Sequence, residues 1–245
     1  MSYEAPLTTS LGTVQCTHLD AKVVHRVGYK PQPWNWTPWE YAQDGRFDGR
    51  WDDPEGVWRM LYLGSTELAC YLEVLAPFRP DAALADEMSE IVDDDEDVEY
   101  PTVPPGALSY DWCKPRLICT AILAGCFAVP GHHESLSTLR KQFLAVARRY
   151  GCHDLDASAI RDGERALTQK ISSWIRAQTT ADGLPADGIE YQSRHGDYLT
   201  LWAIYERDGG MASPPQITRH RARPIVPDDS SLIEALRIHQ IEWSD

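Results

Sequence analysis

Residues 58–77 read WRMLYLGSTELACYLEVLAP, and this stretch decides the fold class. The apolar run Trp58–Leu63 contains large and aromatic side chains, which favours a buried strand. After a short Gly-Ser break, the hydroxyl of Thr66 predicts the N-cap of a helix that runs to about Ala76. A strand followed directly by a helix indicates a domain that mixes both kinds of element.

The other elements are predicted from hydrophobic periodicity and from turn residues. Further strands are expected at Ala21–Tyr29, Arg116–Leu123, Gly188–Gln192, Tyr198–Glu206 and Gln216–Ile225. Helices are expected at Asp81–Ile91, Glu134–Tyr150 and Asp162–Gln178, with a last helix opened by the capping-box pair Ser231 and Glu234. Residues 1–20 are predicted to be a polar lead-in, Lys30–Asp53 a long loop and the acidic run Asp93–Glu99 an exposed loop. We therefore expect one mixed domain over residues 1–245, with an acidic insertion at about residues 80–115.

The net charge of the chain limits the kinds of partner it can bind. Its 245 residues include 23 Lys and Arg against 37 Asp and Glu, which gives a net charge of −14. Such a chain repels phosphate backbones, so direct nucleic-acid binding is not expected, whereas a basic protein partner would be attracted. A site for an anionic ligand would have to concentrate arginines locally.

Cysteine usage and hydropathy bear on the cellular compartment. Six cysteines occur without any C-x-x-C pair, and the first eleven residues lack the basic start and apolar run of a secretory signal. No apolar stretch approaches membrane-spanning length. We expect reduced thiols in a cytoplasmic protein. His132-His133 and Cys152-His153 lack a second pair of ligands, so no metal site is expected.

A set of polar and aromatic residues occurs along the chain in an order that is typical of one protein family. The set comprises His25-Arg26, Gly49-Arg50-Trp51-Asp52, Tyr62, Glu73 and Tyr191-Gln192-Ser193-Arg194. It resembles the RES family, named for its Arg, Glu and Ser, over about residues 22–77 and 187–206. Members of that family commonly have Asn where Asp52 stands.

This resemblance implies a fold and an activity. The fold would be α+β and similar to ADP-ribosyltransferases, with mixed, mostly antiparallel sheets flanked by helices. Members characterised as toxins consume NAD+ and occur beside an Xre-like DNA-binding antitoxin. The resemblance therefore implies NAD+ as substrate and cleavage of its nicotinamide–ribose bond, with water or phosphate as acceptor. It also implies a basic Xre-like antitoxin as partner.

Glu73 is the expected catalytic carboxylate. Breaking the N-glycosidic bond passes through an oxocarbenium-like state, and a carboxylate beside the ribose stabilises the developing positive charge. Ala69, Cys70 and Ala76 share the helix face of Glu73, so small side chains leave room for a ligand there. By composition alone, Glu73 would be an ordinary surface carboxylate.

The remaining candidates receive their roles from the resemblance. Arg50, expected to be catalytic, and Arg26 would contact the pyrophosphate or the carboxamide region with bidentate hydrogen bonds. Tyr62 would stack on the nicotinamide ring and donate a hydrogen bond, and Ser193 would hydrogen-bond the substrate. Without the resemblance, the arginines would form surface salt bridges, Tyr62 would be a half-buried strand residue and Ser193 would belong to a turn.

Two other functions stay open on the sequence. Transfer of ADP-ribose to a protein is the first; arginine-specific transferases usually carry an E-x-E pair, and Tyr71 occupies the position two residues before Glu73. This favours small acceptors. The second is a catalytically silent domain that acts through protein contacts. The long loop also carries three tryptophans, Trp34, Trp36 and Trp39. They could either line an adenine pocket or pack in the core.

Overall fold

The computed structural model describes residues 5–80 and 106–244. Its strands are β1 (Leu7–Thr9), β2 (Gly12–Val14), β3 (Cys16–Tyr29), β4 (Met60–Gly64), β5 (Ala107–Leu108), β6 (Arg116–Ala128), β7 (Thr179–Thr180), β8 (Gly188–Ser193), β9 (Gly196–Tyr205), β10 (Ile217–Pro224) and β11 (Glu242–Trp243). Its α-helices are α1 (Glu67–Leu75), α2 (His133–Arg149), α3 (Ala157–Asp162), α4 (Arg165–Arg176) and α5 (Ser230–His239), and short 3-10 helices cover Trp39–Tyr41, Ala76–Phe78 and Tyr110–Cys113.

A six-stranded sheet organises the fold. Its strand order is β10-β6-β3-β4-β9-β8, and all of these neighbouring pairs are antiparallel. The start of β8 also pairs in parallel with the end of β6, through Gly188 and Ile189, which joins five of the strands into a ring. A three-stranded sheet, β2-β1-β7, and a short parallel pair, β5 and β11, complete the strands. The predicted α+β class with mostly antiparallel sheets is confirmed.

Helices cover the sheet with their apolar faces. The buried face of α1, which includes Tyr71, Leu72 and Leu75, packs with the buried face of α5 in one apolar cluster. A second cluster lies between α2, α4 and the sheet, and it contains the fully buried Trp51. Burial of these faces, more than helix propensity, holds the helices in place. No helix in the described part of the chain is long and apolar enough to cross a membrane.

The strand-to-helix unit forms as predicted. Strand β4 ends at Gly64, and the Thr66 hydroxyl accepts a hydrogen bond from the backbone N–H of Ala69 at 3.0 Å. The other five predicted strands are found as β3, β6, β8, β9 and β10, and the predicted helix over Glu134–Tyr150 is α2. The expectations for Asp81–Ile91 and Asp93–Glu99 lie outside the described residues, and the insertion therefore stays a prediction.

Two local predictions were wrong, one at residues 1–20 and one at the start of the last helix. Residues 1–20 are not simply a lead-in, because β1, β2 and the start of β3 lie there; their buried residues, Leu7, Val14 and Cys16, are too few and too scattered to produce a periodic pattern.

The predicted helix over Asp162–Gln178 is found as α4, and a separate short helix, α3, precedes it and ends at Asp162. In α5 the N-cap is Asp229, which accepts from the Ser231 N–H at 3.3 Å, so Ser231 is not the cap. The acid of the expected capping box, Glu234, pairs with Arg237 one turn later.

We expect Thr66→Ala to lower the free energy of unfolding by about 1 kcal/mol, because the first turn of α1 loses its cap. Urea unfolding at neutral pH measures this difference. Thr179→Ala, at an exposed threonine of β7, is the matched control and should change stability by less than about 0.5 kcal/mol. Equal losses in the two variants would mean that the Thr66 hydrogen bond contributes nothing specific.

Candidate active site

One cavity of about 360 Å³ brings together four of the five predicted site residues. Arg26 on β3, Arg50 in the long loop, Tyr62 on β4 and Glu73 on α1 all line it. The fifth, Ser193 at the end of β8, lies behind Glu73. Residues separated by up to 167 positions in the sequence thus meet on one side of the sheet.

Ser193 holds the Glu73 carboxylate in place. The Ser193 hydroxyl donates to Glu73 Oε1 at 2.6 Å and accepts from the backbone N–H of His195 at 3.0 Å. Ser193 is only 1% exposed, so its single proton is committed to Glu73 and a direct substrate contact stays a prediction. Burial raises the pKa of Glu73, whereas the Ser193 hydrogen bond and the charges of Arg194 and Arg50 lower it.

Helix α4 fixes the Gly49–Trp51 backbone through side chains. Three consecutive carbonyls of this segment accept hydrogen bonds from three buried polar residues of one helix. Thr168 Oγ1 donates to the Arg50 carbonyl at 2.7 Å, Gln169 Nε2 to the Gly49 carbonyl at 3.0 Å and Ser172 Oγ to the Trp51 carbonyl at 2.6 Å. The position of Arg50 at the cavity is therefore set by α4, a helix to which the family resemblance assigns no role in the site.

Asp52 and Tyr62 bind the other side of the same segment. Asp52 Oδ2 accepts from the Gly49 N–H at 2.5 Å, and the Tyr62 hydroxyl donates to Asp52 Oδ1 and accepts from the Trp51 N–H, both at 3.1 Å. A Cβ on Gly49 would collide with the Asp52 carboxylate and the Tyr62 hydroxyl, so this close approach requires glycine. Burial raises the pKa of Asp52 to about 6 and keeps Tyr62 a neutral phenol by raising its pKa as well.

The two predicted arginines are held by backbone carbonyls. Arg26 donates to the carbonyls of Pro33 at 2.9 Å and Tyr62 at 3.0 Å, and Arg50 donates to the Gly163 carbonyl at 3.0 Å. Within residues 5–80 and 106–244, neither arginine forms a salt bridge. Burial lowers the pKa of both side chains. Their remaining N–H groups are available to a ligand in the cavity, which does not fit the surface salt-bridge alternative.

Four further charged or aromatic residues of the lining had been given no role, namely Tyr191, Arg161, Arg165 and Arg194, although Tyr191 and Arg194 belong to the set that carries the family resemblance. Tyr191 packs edge-on against Trp51 with ring centroids 5.5 Å apart. It lies two residues before Ser193 on β8, and the two-residue period of a strand could have indicated their common face. The three arginines come from α3, α4 and the turn between β8 and β9, so only the folded chain brings them together.

The tryptophan-rich loop divides between core and surface. Trp34 and Trp36 are buried in an apolar cluster with Leu61 and Trp202, which supports the core-packing alternative for these two. Trp39 is 37% exposed, and its ring lies 5.4 Å from the ring of Phe47. In the described ranges, no group of three or more His, Cys, Asp or Glu side chains is arranged to hold a metal ion.

The fold and the cavity define a small α+β protein with one acid in an arginine-lined cavity. The RES domain family matches residues 23–225, and the chain belongs to this family. Members are generally toxin-like and associated with NAD. No curated protein and no solved structure shows significant similarity to the chain.

Asp52 gives a test of the site's electrostatics. Its folded-state pKa of about 6 lies above the ordinary 3.8, so its protonation favours the folded state: this contribution is complete below about pH 4 and is lost as the pH rises through 6. We expect Asp52→Asn to raise the unfolding free energy at pH 7 by at most about 3 kcal/mol and much less at pH 4.5. Urea unfolding at both pH values measures this.

Asp53→Asn is the matched control for that experiment. The Asp53 carboxylate is also buried, but its oxygens accept from the backbone N–H groups of Glu55, Val57 and Trp58. All three partners of Asp53 are N–H donors and an amide offers only one acceptor oxygen, so this variant should be destabilised at both pH values. The Tyr62 hydroxyl beside Asp52, in contrast, can turn and accept a hydrogen bond from an amide. A loss of stability for Asp52→Asn at pH 7 as large as that for Asp53→Asn would refute the assignment.

Proposed function

We propose that this protein cleaves the nicotinamide–ribose bond of NAD+, with water or phosphate as acceptor, and so depletes NAD+ in the cell. The observation that carries the proposal is the charge pattern of the cavity. Of the described residues that line it, five are arginines, and Glu73, held by Ser193, is the single carboxylate. An anionic substrate with one cationic reacting centre matches this pattern.

Glu73 would stabilise the transition state. As the N-glycosidic bond breaks, its electron pair moves to the nicotinamide nitrogen, nicotinamide leaves as a neutral molecule and positive charge develops on the ribose. A fixed carboxylate beside that ribose can hold a ribose hydroxyl and stabilise the charge without reorganising. The acceptor then adds to the ribose carbon and, when it is water, releases a proton.

The arginines and tyrosines would bind the rest of the substrate. The free N–H groups of Arg26 and Arg50 suit a carboxamide oxygen or phosphate oxygens. The Tyr62 hydroxyl is occupied by Asp52 and Trp51, so this residue would contribute its ring face to the nicotinamide. Tyr191, kept neutral because burial raises its pKa, offers a second aromatic surface.

Transfer of ADP-ribose to an arginine side chain fits the site less well. Tyr71 takes the place of the first acid of an E-x-E pair, is fully buried and hydrogen-bonds Asp229 at 3.2 Å. No second carboxylate therefore reaches the described cavity lining from that position. Two alternatives remain: a transferase with another acceptor specificity, and a catalytically silent domain. The following experiment distinguishes both from an enzyme that cleaves NAD+.

We expect purified protein to release nicotinamide from NAD+ without a protein acceptor. Glu73→Gln should reduce turnover by roughly 10²–10³-fold, because it removes the charge but preserves the packing, and NAD+ affinity should fall much less. Chromatographic nicotinamide release and calorimetric NAD+ binding measure the two effects.

Glu67→Gln is the matched control, because Glu67 lies on the same helix but outside the cavity lining and pairs with Arg223. It should retain nearly wild-type turnover. Near-wild-type turnover of Glu73→Gln would remove Glu73 from the mechanism. Release that requires cell extract and labels a protein would support transfer, and no release by either preparation would support a silent domain.

We also propose a basic, Xre-like antitoxin as partner and a cytoplasmic location. The net charge of −14 would attract a basic protein. A segment of that partner that enters the arginine-lined cavity would need an acidic group to pair with the arginines. Complex formation should weaken as salt rises, measured by binding between about 0.05 and 0.5 M NaCl. An affinity independent of salt would contradict steering by charge.

A further inference from the structure

A second groove adjoins the candidate active site. It has a volume of about 470 Å³ and shares three lining residues with the inner cavity: Arg50, Arg165 and Arg194. Phe47 and Arg46 line this groove but not the inner cavity. The two spaces therefore meet at a junction lined by arginines, and Glu73 lies only in the inner one.

Positive charge at this junction is only partly neutralised. Arg165 donates to the Asp48 carboxylate at 2.6 Å, and Arg161 on the inner side contacts Asp162 and Asp197. Arg194, in contrast, is exposed and makes no hydrogen bond or salt bridge with any of residues 5–80 and 106–244. It is close enough to Arg50 and Glu73 for its charge to lower the pKa of each.

We propose that this junction is a pyrophosphate subsite, with Arg194 as its principal ligand and Arg165 beside it, and that the outer groove takes the adenosine half of the dinucleotide. The inference rests on the proposed function, which places the nicotinamide ribose at Glu73. The phosphates carry the negative charge of NAD+ and follow that ribose directly. A guanidinium without a carboxylate partner is the group that binds them most readily.

The outer groove has an aromatic surface suited to an adenine ring. Phe47 is half-buried, and its ring packs on Trp39 at 5.4 Å with an angle of 32° between the planes. Trp39 in turn lies under the guanidinium of Arg59, which is anchored by Glu206. The Phe47 ring therefore packs against an anchored neighbour, which limits its motion. The subsite would make the enzyme selective for a dinucleotide.

Calorimetric titrations with ADP and with inorganic pyrophosphate test the two parts separately, because neither ligand contains nicotinamide. We expect Arg194→Ala to weaken the binding of both ligands by roughly tenfold to a hundredfold, as loss of charged hydrogen bonds does. Phe47→Ala should weaken ADP binding and leave pyrophosphate binding unchanged. Arg221→Ala, at an exposed arginine of β10, removes the same charge elsewhere and should bind both ligands like the wild type.

Steady-state kinetics with NAD+ complete the test. Arg194→Ala should raise KM for NAD+ with a much smaller change in kcat, because its contact is the same in the ground state and the transition state. ADP binding that is absent from the wild type, or that is equal in Arg194→Ala and Arg221→Ala, would overturn the subsite. Wild-type protein that binds ADP through Arg194 yet releases no nicotinamide would overturn the proposed function alone.

Discussion

The interaction on which the site depends is the binding of three backbone carbonyls by the side chains of one helix. Residues 49–51 belong to no strand or helix, so their buried polar groups need partners from elsewhere. Thr168, Gln169 and Ser172 supply them, and Asp52 and Tyr62 satisfy the N–H groups on the other side. Each buried carbonyl left alone would cost about 1–3 kcal/mol, so the segment has one favoured position.

Local positive charge in an acidic protein is maintained by neutral partners. Arg26 and Arg50 are bound by carbonyl dipoles, which orient a guanidinium without cancelling its charge. A carboxylate in the same place would occupy the arginine and repel an anionic ligand. Among the five arginines that line the cavity, only Arg161 and Arg165 are paired with acids of the described residues. The cavity interior thus differs in sign from the chain as a whole.

The sequence was enough to predict features that depend on neighbouring residues, or on an ordered set of residues spread along the chain. Thr66 caps a helix because of its immediate neighbours, and the choice of Arg26, Arg50, Tyr62 and Glu73 as site candidates followed from the family resemblance. The support from α4 could not be predicted in the same way, because it depends on contacts over more than a hundred positions. One sequence feature could have indicated this support. Thr168, Gln169 and Ser172 occupy buried positions of the helix beside its apolar residues, and buried polar side chains need hydrogen-bond partners.

The pairing of β8 with two strands has a consequence for thermal inactivation. This strand carries Tyr191 and Ser193, and its first residues are hydrogen-bonded to both β9 and β6. It cannot separate from the sheet without breaking two ladders that also hold the core. The part of the cavity lining that β8 provides therefore belongs to the unit that unfolds cooperatively, and it should be lost together with the whole fold and not before it. In this protein, loss of the cavity on heating and global unfolding would be a single event.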